Sequence, residues 1–293
     1  MTKVRNSSTK GLLPIAWLNT DTIPSFRDTK FLSPYLEGAE QRCLELGYRL
    51  DEIWMRQPGL TQGRISRILR HRGIEGIVIG YTLRHMRLNF DRLAAVSLEG
   101  GLLAPRLHRV TSNVTFNLTL AIKSLWRLGY RRIGVCLTEQ VDRFSHHLVR
   151  STLHHWASTL SVNERVEPLF HPISLRDDAK APQVAAWVRK EKPEVIVCHD
   201  NRMVQWLQEM GYQIPRQMGV VHLALDDDVL DWAGVYSNRR IIGRTAVEMV
   251  ISLLQNRQLG VPTVPGEMLI PGTWRKGRTL LSKKETSPRG RKS

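Results

Sequence analysis

The chain has 293 residues, of which 42% are hydrophobic and 24% are charged, enough to form one or two packed domains with buried cores. Its formal net charge of +16 favours contact with polyanions such as nucleic acid, although a basic surface without a partner is an equally open interpretation. The basic N-terminus is followed by one short apolar run without a small-residue cleavage site. The sequence therefore predicts neither a signal peptide nor a membrane span, and we expect a cytoplasmic protein.

The first half of the chain alternates short apolar runs with segments of helical periodicity. The apolar runs predict strands over residues 13–18, 48–54, 75–79 and 94–98. Apolar residues at helical spacing predict helices around residues 36–46, 65–69 and 118–128. Each of these helices is followed by a glycine: Gly47, Gly73 and Gly129.

The second half repeats this alternation. It predicts strands over residues 132–137, 166–170, 194–198 and 219–225, and helices over residues 143–160, 182–191, 201–210 and 241–255. Alternation of this kind is typical of parallel sheets with helices on both faces. We therefore predict an α/β fold of two doubly wound, Rossmann-like lobes, in which ligands bind beyond the carboxyl ends of the strands.

The residues that usually carry catalysis or bind metal form no recognisable site in this sequence. It contains no glycine-rich phosphate-binding motif, and no nucleophile can be paired with a base, so we predict no enzyme and no cofactor. Histidines cluster at His146, His147, His154 and His155. Residues 147 and 154 would lie about 10 Å apart on one helix, too far for two ligands of one metal ion, so we predict no metal.

Two further groups of residues have an ordinary structural interpretation. The three cysteines, Cys43, Cys136 and Cys198, lie far apart, and the last two fall in apolar runs, which predicts core thiols in a reducing compartment. The acidic run at residues 226–228 follows a predicted strand. A solvated loop or a helix N-terminus is the ordinary interpretation there, and contact with a ligand is the alternative.

Several segments together resemble one known family. Residues 110–134, VTSNVTFNLTLAIKSLWRLGYRRIG, resemble the LacI/GalR (lactose-repressor-type) signature, in which an Asp-Asn pair opens a helix that ends before Gly-His-Arg-x-Ile. Residues 34–50 resemble the first helix and second strand of that family, and residues 72–79 resemble its third strand. EVIVCHD (194–200), GYQIP (211–215) and IIGRTAVEMVISLL (241–254) are similar to later segments, in the same order.

The resemblance implies two lobes of the type I periplasmic-binding-protein kind, joined by three crossovers. A small effector, commonly a sugar, would bind between them and change DNA affinity through a homodimer of cores, with no part in a membrane. By this alignment the first lobe comprises residues 12–130 and 238–264, and the second comprises residues 131–237 and 265–281. Residues 1–10 and 282–293 are predicted to be flexible basic tails.

The family pattern also points to effector-binding residues. Arg150 matches an arginine that contacts the effector, and its planar guanidinium suits two sugar hydroxyls, although an ordinary surface arginine is the alternative. Ser112 replaces the Asp of the Asp-Asn pair, and His199 and Asp200 stand where the family has Asn-Asp. Ala224 occupies the position of a ligand-binding Asp, with Asp226 two residues later. Three further candidates come from loops after strands: Asn19, Asp21 and Tyr81.

The family carries a helix-turn-helix headpiece before its first core strand. Only about ten residues precede Gly11, too few for three helices, so we expect this chain to contact DNA only through a headpiece that it lacks. The sequence therefore predicts the effector-binding and dimerisation core of a LacI-type transcription regulator. A free-standing solute-binding protein of the same fold, without a role in DNA binding, is the alternative.

Overall fold

The computed structural model describes residues 12–80, 85–172, 175–226 and 228–283. The chain forms two compact units, and it passes from one to the other after Ser112, after Asn238 and after Ile270. Unit 1 contains the described residues up to Ser112 together with Arg239–Ile270. Unit 2 contains Asn113–Asn238 and the described residues that follow Ile270. The three passages correspond to the predicted three crossovers.

Strands and helices alternate along most of the chain. The first part contains β1 (Leu13–Asn19), α1 (Ser33–Glu45), β2 (Tyr48–Trp54), α2 (Gln62–His71), β3 (Gly76–Ile79), β4 (Ala94–Leu98) and β5 (His108–Ser112). The middle contains α3 (Val114–Arg127), β6 (Ile133–Thr138), α4 (Glu139–Phe144), α5 (Leu148–Ser158), β7 (Leu169–His171), α6 (Asp177–Glu191), β8 (Val195–Cys198) and α7 (Met203–Glu209). The last part contains β9 (Gly219–Leu225), β10 (Ala233–Tyr236), α8 (Arg239–Gln255), β11 (Glu267–Ile270) and β12 (Thr273–Arg275).

Unit 1 is built on a sheet of six parallel strands in the order β11-β5-β4-β3-β1-β2. Helices α1 and α8 pack on one face, against Ile15, Trp17 and Val96, and α2 packs on the other face. The strands β3 and β4 are buried on both faces, which explains their mainly apolar sequences, in which Ser97 is the one polar residue.

Unit 2 is built on a sheet in the order β12-β10-β9-β8-β6-β7, in which only β12 runs antiparallel to its neighbour. Helices α3 and α5 contribute to the core on one face, and α6 and α7 contribute to the core on the other. Because β6, β8, β9 and β7 are parallel, the loops that follow them lie along one edge of this sheet.

The predicted fold class is confirmed, and the strand bounds agree closely at residues 48–54, 94–98 and 219–225. The single helix predicted over residues 143–160 is wrong. It is divided into α4 and α5 by His146 and His147, which have φ angles of 53° and 64°. The buried carboxylate of Asp142 causes the division, because it accepts hydrogen bonds from the Arg150 N–H and from the His147 ring. Four strands were not predicted: β5, β10, β11 and β12.

The boundaries of the two observed units fall at other residues than the boundaries predicted for the two lobes. Helix α3 belongs to unit 2, because its Leu118, Ala121, Ile122 and Leu125 enter the core formed by β6, β8 and β9. Strand β11 belongs to unit 1, where it pairs with β5. The predicted tails, apart from residues 282 and 283, lie outside the described residues. Within the described part of the chain, no helix is long and apolar enough to cross a membrane.

Candidate ligand-binding site

The carboxyl edge of the unit 2 sheet carries the largest group of polar side chains predicted to bind a ligand. Asp200 follows β8 and Asp226 follows β9, and these two strands are neighbours. Arg150 lies near the start of α5, which follows β6 through α4. This edge is where ligands bind in doubly wound folds.

Arg150 is held in place by Asp142 of α4. The Asp142 side chain is 3% exposed, and its two oxygens accept from the Arg150 backbone N–H at 2.9 Å and from the Arg150 Nε at 3.1 Å. His147 Nδ1 lies 2.8 Å from the second oxygen. A buried carboxylate with three such contacts is compensated for its lost hydration, and it fixes the direction of the Arg150 side chain.

The outer part of Arg150 remains accessible. Its guanidinium carbon lies 3.9 Å from the centre of the Phe170 ring, so one guanidinium face is covered by an aromatic side chain. The side chain is nevertheless 51% exposed. Its two terminal nitrogens make no hydrogen bond with any residue in the described ranges. Arg150 therefore presents a fixed, planar pair of donors suited to two oxygen acceptors.

A cavity of about 560 Å³ lies along α5, lined at one end by Arg150 and at the other by Ile133, the first residue of β6, and by residues 166–168, which precede β7. Its walls are mostly apolar and include Ile122, Val135, Leu153 and Trp156. The Trp156 indole N–H is fully buried and has no acceptor among the described residues. The volume lies within the range of small-molecule sites, and the lining combines an apolar surface with a few donors, which is typical of such sites.

His171, at the end of β7, forms a buried polar pair with Cys136. His171 Nδ1 lies 3.0 Å from Gln183 Oε1, which can only accept, so the ring nitrogen carries the proton and Nε2 accepts from the Cys136 thiol at 3.3 Å. Burial lowers the pKa of His171 below its ordinary value, the Gln183 hydrogen bond opposes this, and the nearby Lys180 ammonium adds to it. Burial also raises the pKa of the Cys136 thiol to about 12.

Asp200 forms an ion pair that the sequence did not reveal. Lys180 Nζ on α6 lies 3.0 Å from one Asp200 oxygen, and the side chains are 15% and 23% exposed. The other Asp200 oxygen accepts from the Arg202 backbone N–H at 3.0 Å. Asp200 thus lies at this edge, and its charge is matched by Lys180, twenty positions away in the sequence.

Asp226 and His199 are engaged mainly within the protein. Asp226 is 6% exposed, and it accepts from the Asp228 N–H at 3.0 Å and from Asn201 Nδ2 at 3.3 Å. The His199 ring lies 6.0 Å from the ring of His222. Both residues lie at the carboxyl edge of the sheet, and Asp226 joins the loops after β8 and β9 through its contact with Asn201.

In unit 1, Asn19 and Asp21 organise the loop after β1. Asn19 is fully buried; its amide donates to the carbonyls of Ile23 and Pro24 and to Glu52, and its oxygen accepts from the Asp21 N–H. Asp21 accepts from the Ile23 N–H at 3.2 Å. The hydrogen-bonding capacity of Asn19 is used by its own loop.

Ser112 ends β5 in the same unit, and two strands, β4 and β3, separate β5 from β1. Its N–H donates to Glu99, which also accepts from Thr111 Oγ1 at 2.7 Å and from the Tyr35 hydroxyl at 2.8 Å. Burial raises the pKa of Tyr35 well above its ordinary value, and the Glu99 charge adds to this. Tyr81 lies outside the described residues. In the ranges that the structure describes, no group of three or more His, Cys, Asp or Glu side chains could hold a metal ion.

A family model described as a periplasmic binding protein-like domain matches residues 122–279, more than half of the chain. No curated protein sequence is significantly similar to it.

Several solved structures with the same fold are of transcription regulators. The regulator CelR in complex with cellobiose is 13% identical in sequence to this chain. The alignment covers 91% of this chain and 84% of CelR, with a TM-score of 0.66. The lac repressor dimer bound to operator and the anti-inducer ONPF is 16% identical over 93% and 95% of the two chains, with a TM-score of 0.65. A LacI family regulator from Enterococcus faecium with bound ribose is 14% identical over 92% and 99%, with a TM-score of 0.61. The chain thus belongs to the periplasmic binding protein-like domain family, with the fold of LacI-type regulator cores.

Proposed function

We propose that this chain is the effector-sensing core of a LacI-type transcription regulator and that it binds a small, sugar-like molecule at Arg150. The observation that carries the proposal is the fixed and accessible guanidinium of Arg150. Its Nε donates a hydrogen bond to Asp142, and one face of the guanidinium packs against the Phe170 ring. Its two terminal nitrogens make no hydrogen bond with any described residue. Such a donor pair is prepared for adjacent oxygen acceptors before any ligand arrives.

The neighbouring cavity supports the same class of ligand. A sugar ring has an apolar face that suits Leu153 and the Trp156 indole, and hydroxyls that suit the guanidinium. The relatives with solved structures include proteins bound to cellobiose and to ribose. A small polyhydroxylated molecule is therefore the effector class that we propose.

The first experiment is a thermal-shift screen of the purified chain against sugars, sugar acids, polyols and nucleobases. A ligand at a hundred times its Kd stabilises the folded state by about 2.7 kcal/mol, which gives a clear shift of the Tm. The expected result is a hit among the sugars or polyols. A uniformly flat screen would contradict the proposal.

Variants of Arg150 then locate the site. We expect Arg150→Ala to weaken binding by about 2–3 kcal/mol, roughly 30- to 150-fold in Kd, because two charge-assisted hydrogen bonds are lost. Arg150→Lys keeps the charge but loses the planar pair of donors, and we expect it to recover little of the affinity. Arg127→Ala, at an exposed position of α3, is the matched control. Isothermal titration with the ligand from the screen measures all three, and unchanged affinity in Arg150→Ala would place the site elsewhere.

The regulator and the free-standing solute-binding protein differ in what the ligand does. A regulator core must couple ligand binding to a change in assembly or DNA affinity, whereas a solute carrier needs only to bind. The homodimer implied by the family stays a prediction. Light scattering with and without ligand tests it directly, and a monomer under both conditions would favour the solute-binding alternative.

A further inference from the structure

Helix α2 covers one face of the unit 1 sheet with a narrow apolar side. Its Ile65 and Leu69 are buried, and they pack with Met86, Leu88 and Phe90 of the segment that precedes β4. The segment and the helix are also joined at one end, where the Arg87 N–H donates to the Gln62 side chain. The outward surfaces of α2 and of this segment therefore form one continuous exterior.

That exterior is strongly basic. Arg64, Arg67 and Arg70 are exposed on α2. At about 100° per residue they fall within about 120° of arc, on the side opposite Ile65 and Leu69. Further exposed arginines lie just beyond the helix and on the neighbouring segment. The six residues, named here the α2 basic face, are Arg64, Arg67, Arg70, Arg72, Arg87 and Arg92.

Acidic partners neutralise the arginines on the other face of unit 1 but not these. On the α1 and α8 side, Arg27 pairs with Glu40, Arg240 with Glu37, and Arg42 with both Glu45 and Glu248. Among the described residues, no carboxylate lies within ion-pair distance of any member of the α2 basic face. The positive charge is thus concentrated on one face of this unit.

The stability of the helix does not account for these arginines. Arg64 lies in the first turn of α2, which contains no acidic residue, and a cation there opposes the helix dipole. Arg64, Arg67 and Arg70 are successive neighbours at spacing i,i+3, so their charges repel one another. Only Arg70, in the last turn, is favoured by the dipole. A set of charges that disfavours its own helix indicates an external anionic partner.

We propose that the α2 basic face binds the phosphate backbone of duplex DNA directly, without sequence preference. The three arginines on α2 extend along about 9 Å of its axis, and a duplex offers one phosphate charge per about 1.7 Å. Arginine forms paired hydrogen bonds with phosphate oxygens. A membrane surface fits less well, because the apolar side of α2 is buried against Met86, Leu88 and Phe90 and is not available to enter a lipid layer.

The test measures binding of the full chain to a short, fluorescein-labelled duplex of arbitrary sequence by anisotropy, at salt concentrations from about 50 to about 200 mM. A triple variant removes three charges from α2 and keeps residues that favour a helix: Arg64→Gln, Arg67→Gln, Arg70→Gln. Its control, Lys123→Gln, Arg127→Gln, Arg189→Gln, removes three charges from exposed helical positions of unit 2. Circular dichroism verifies that both variants fold.

We expect the slope of log K against log salt to fall in magnitude by about 2–3 in the α2 variant, since each lost phosphate contact contributes about 0.9. The control variant should keep most of the wild-type slope. Equal slopes for the two variants would overturn the proposal, because net charge alone would then explain the binding. Stronger binding to anionic lipid vesicles than to the duplex would overturn it as well. The result does not depend on any effector, so it is separate from the test of the Arg150 site.

Discussion

At the scale of single residues, the properties of unit 2 depend on buried polar groups that act on other side chains. Asp142 is nearly inaccessible, yet it determines where α5 begins and how Arg150 is oriented. Lys180 similarly takes up the charge of Asp200. The residues that would touch a ligand are therefore positioned by residues that would not, which is the usual requirement for a preorganised site.

His171 makes the stability of unit 2 depend on pH. Burial keeps the pKa of its folded-state imidazole below the ordinary value of 6.5, the Gln183 hydrogen bond acts against this, and Lys180 lowers the pKa further. As pH falls below 6.5, the unfolded chain takes up the proton first, so the stability contributed by the neutral ring is lost. At pH values above 6.5 that contribution is fully present.

The variant His171→Asn cannot titrate and can still donate to Gln183. We expect the free energy of unfolding of the wild-type protein to fall more steeply than that of the variant as pH falls below 6.5, measured by urea unfolding. His155→Asn, at an exposed position of α5, is the control and should follow the wild type. Parallel profiles for wild type and His171→Asn would show that this ring does not carry the effect.

At the scale of elements, α1 and α8 approach each other closely through two glycines. A Cβ on Gly38 would lie 2.1 Å from the Arg240 carbonyl oxygen, and a Cβ on Gly243 would lie 1.9 Å from the Tyr35 carbonyl oxygen. Neither oxygen belongs to a flexible side chain. The two backbones can therefore pack at this distance only because both positions lack a side chain.

The substitution Gly243→Ala should consequently destabilise unit 1. The added methyl group must push α1 and α8 apart in a packed core, and we expect a loss of about 3 kcal/mol in chemical unfolding. Gly63→Ala is the matched control, because a Cβ there meets nothing within 4 Å. It should be neutral or stabilising by about 0.5 kcal/mol, since alanine favours a helix more than glycine does. A similar result for both variants would contradict the close approach of the helices.

At the scale of the whole molecule, the three thiols report on the two units separately. Cys43 is buried in unit 1, and Cys136 and Cys198 are buried in neighbouring strands of unit 2. Burial raises the pKa of Cys43 and of Cys136 to about 12, and it raises the pKa of Cys198 well above the ordinary value. Because only the thiolate attacks a disulfide reagent, native thiols should be almost unreactive.

We expect the native protein to react slowly with a disulfide reagent at neutral pH, and all three thiols to react at once in denaturant. Mass spectrometry of the labelled peptides separates Cys43 from the unit 2 thiols, so each rate measures the opening of its own unit. Ser158→Cys, at an exposed position at the end of α5, serves as the control for an accessible thiol. Rapid labelling of Cys43 or Cys198 in the native chain would contradict their burial.

The sequence determined the fold class of this protein because its central strands are buried on both faces. Such strands, β4 and β9 among them, are mainly apolar, with one polar residue each (Ser97 and His222), and their ends are visible in the sequence. The resemblance to a helix pattern of the family also pointed to Arg150 as a ligand-binding candidate. Strands such as β5, with the sequence HRVTS, were missed because they are half polar and short.

Only the tertiary structure showed which candidate residues have their hydrogen-bonding groups occupied within the protein and which keep them exposed. Asn19 and Asp226 are engaged in their own loops, whereas Arg150 keeps its terminal donors accessible, and their residue types do not distinguish these outcomes. The division of the predicted helix at His146 and His147 depends on a carboxylate buried beside it. Hydrophobic periodicity is a local property and can be read along the chain. Burial and hydrogen-bond partners depend on contacts between residues far apart in sequence, such as Lys180 with Asp200 and Arg150 with Phe170, and these form only on folding.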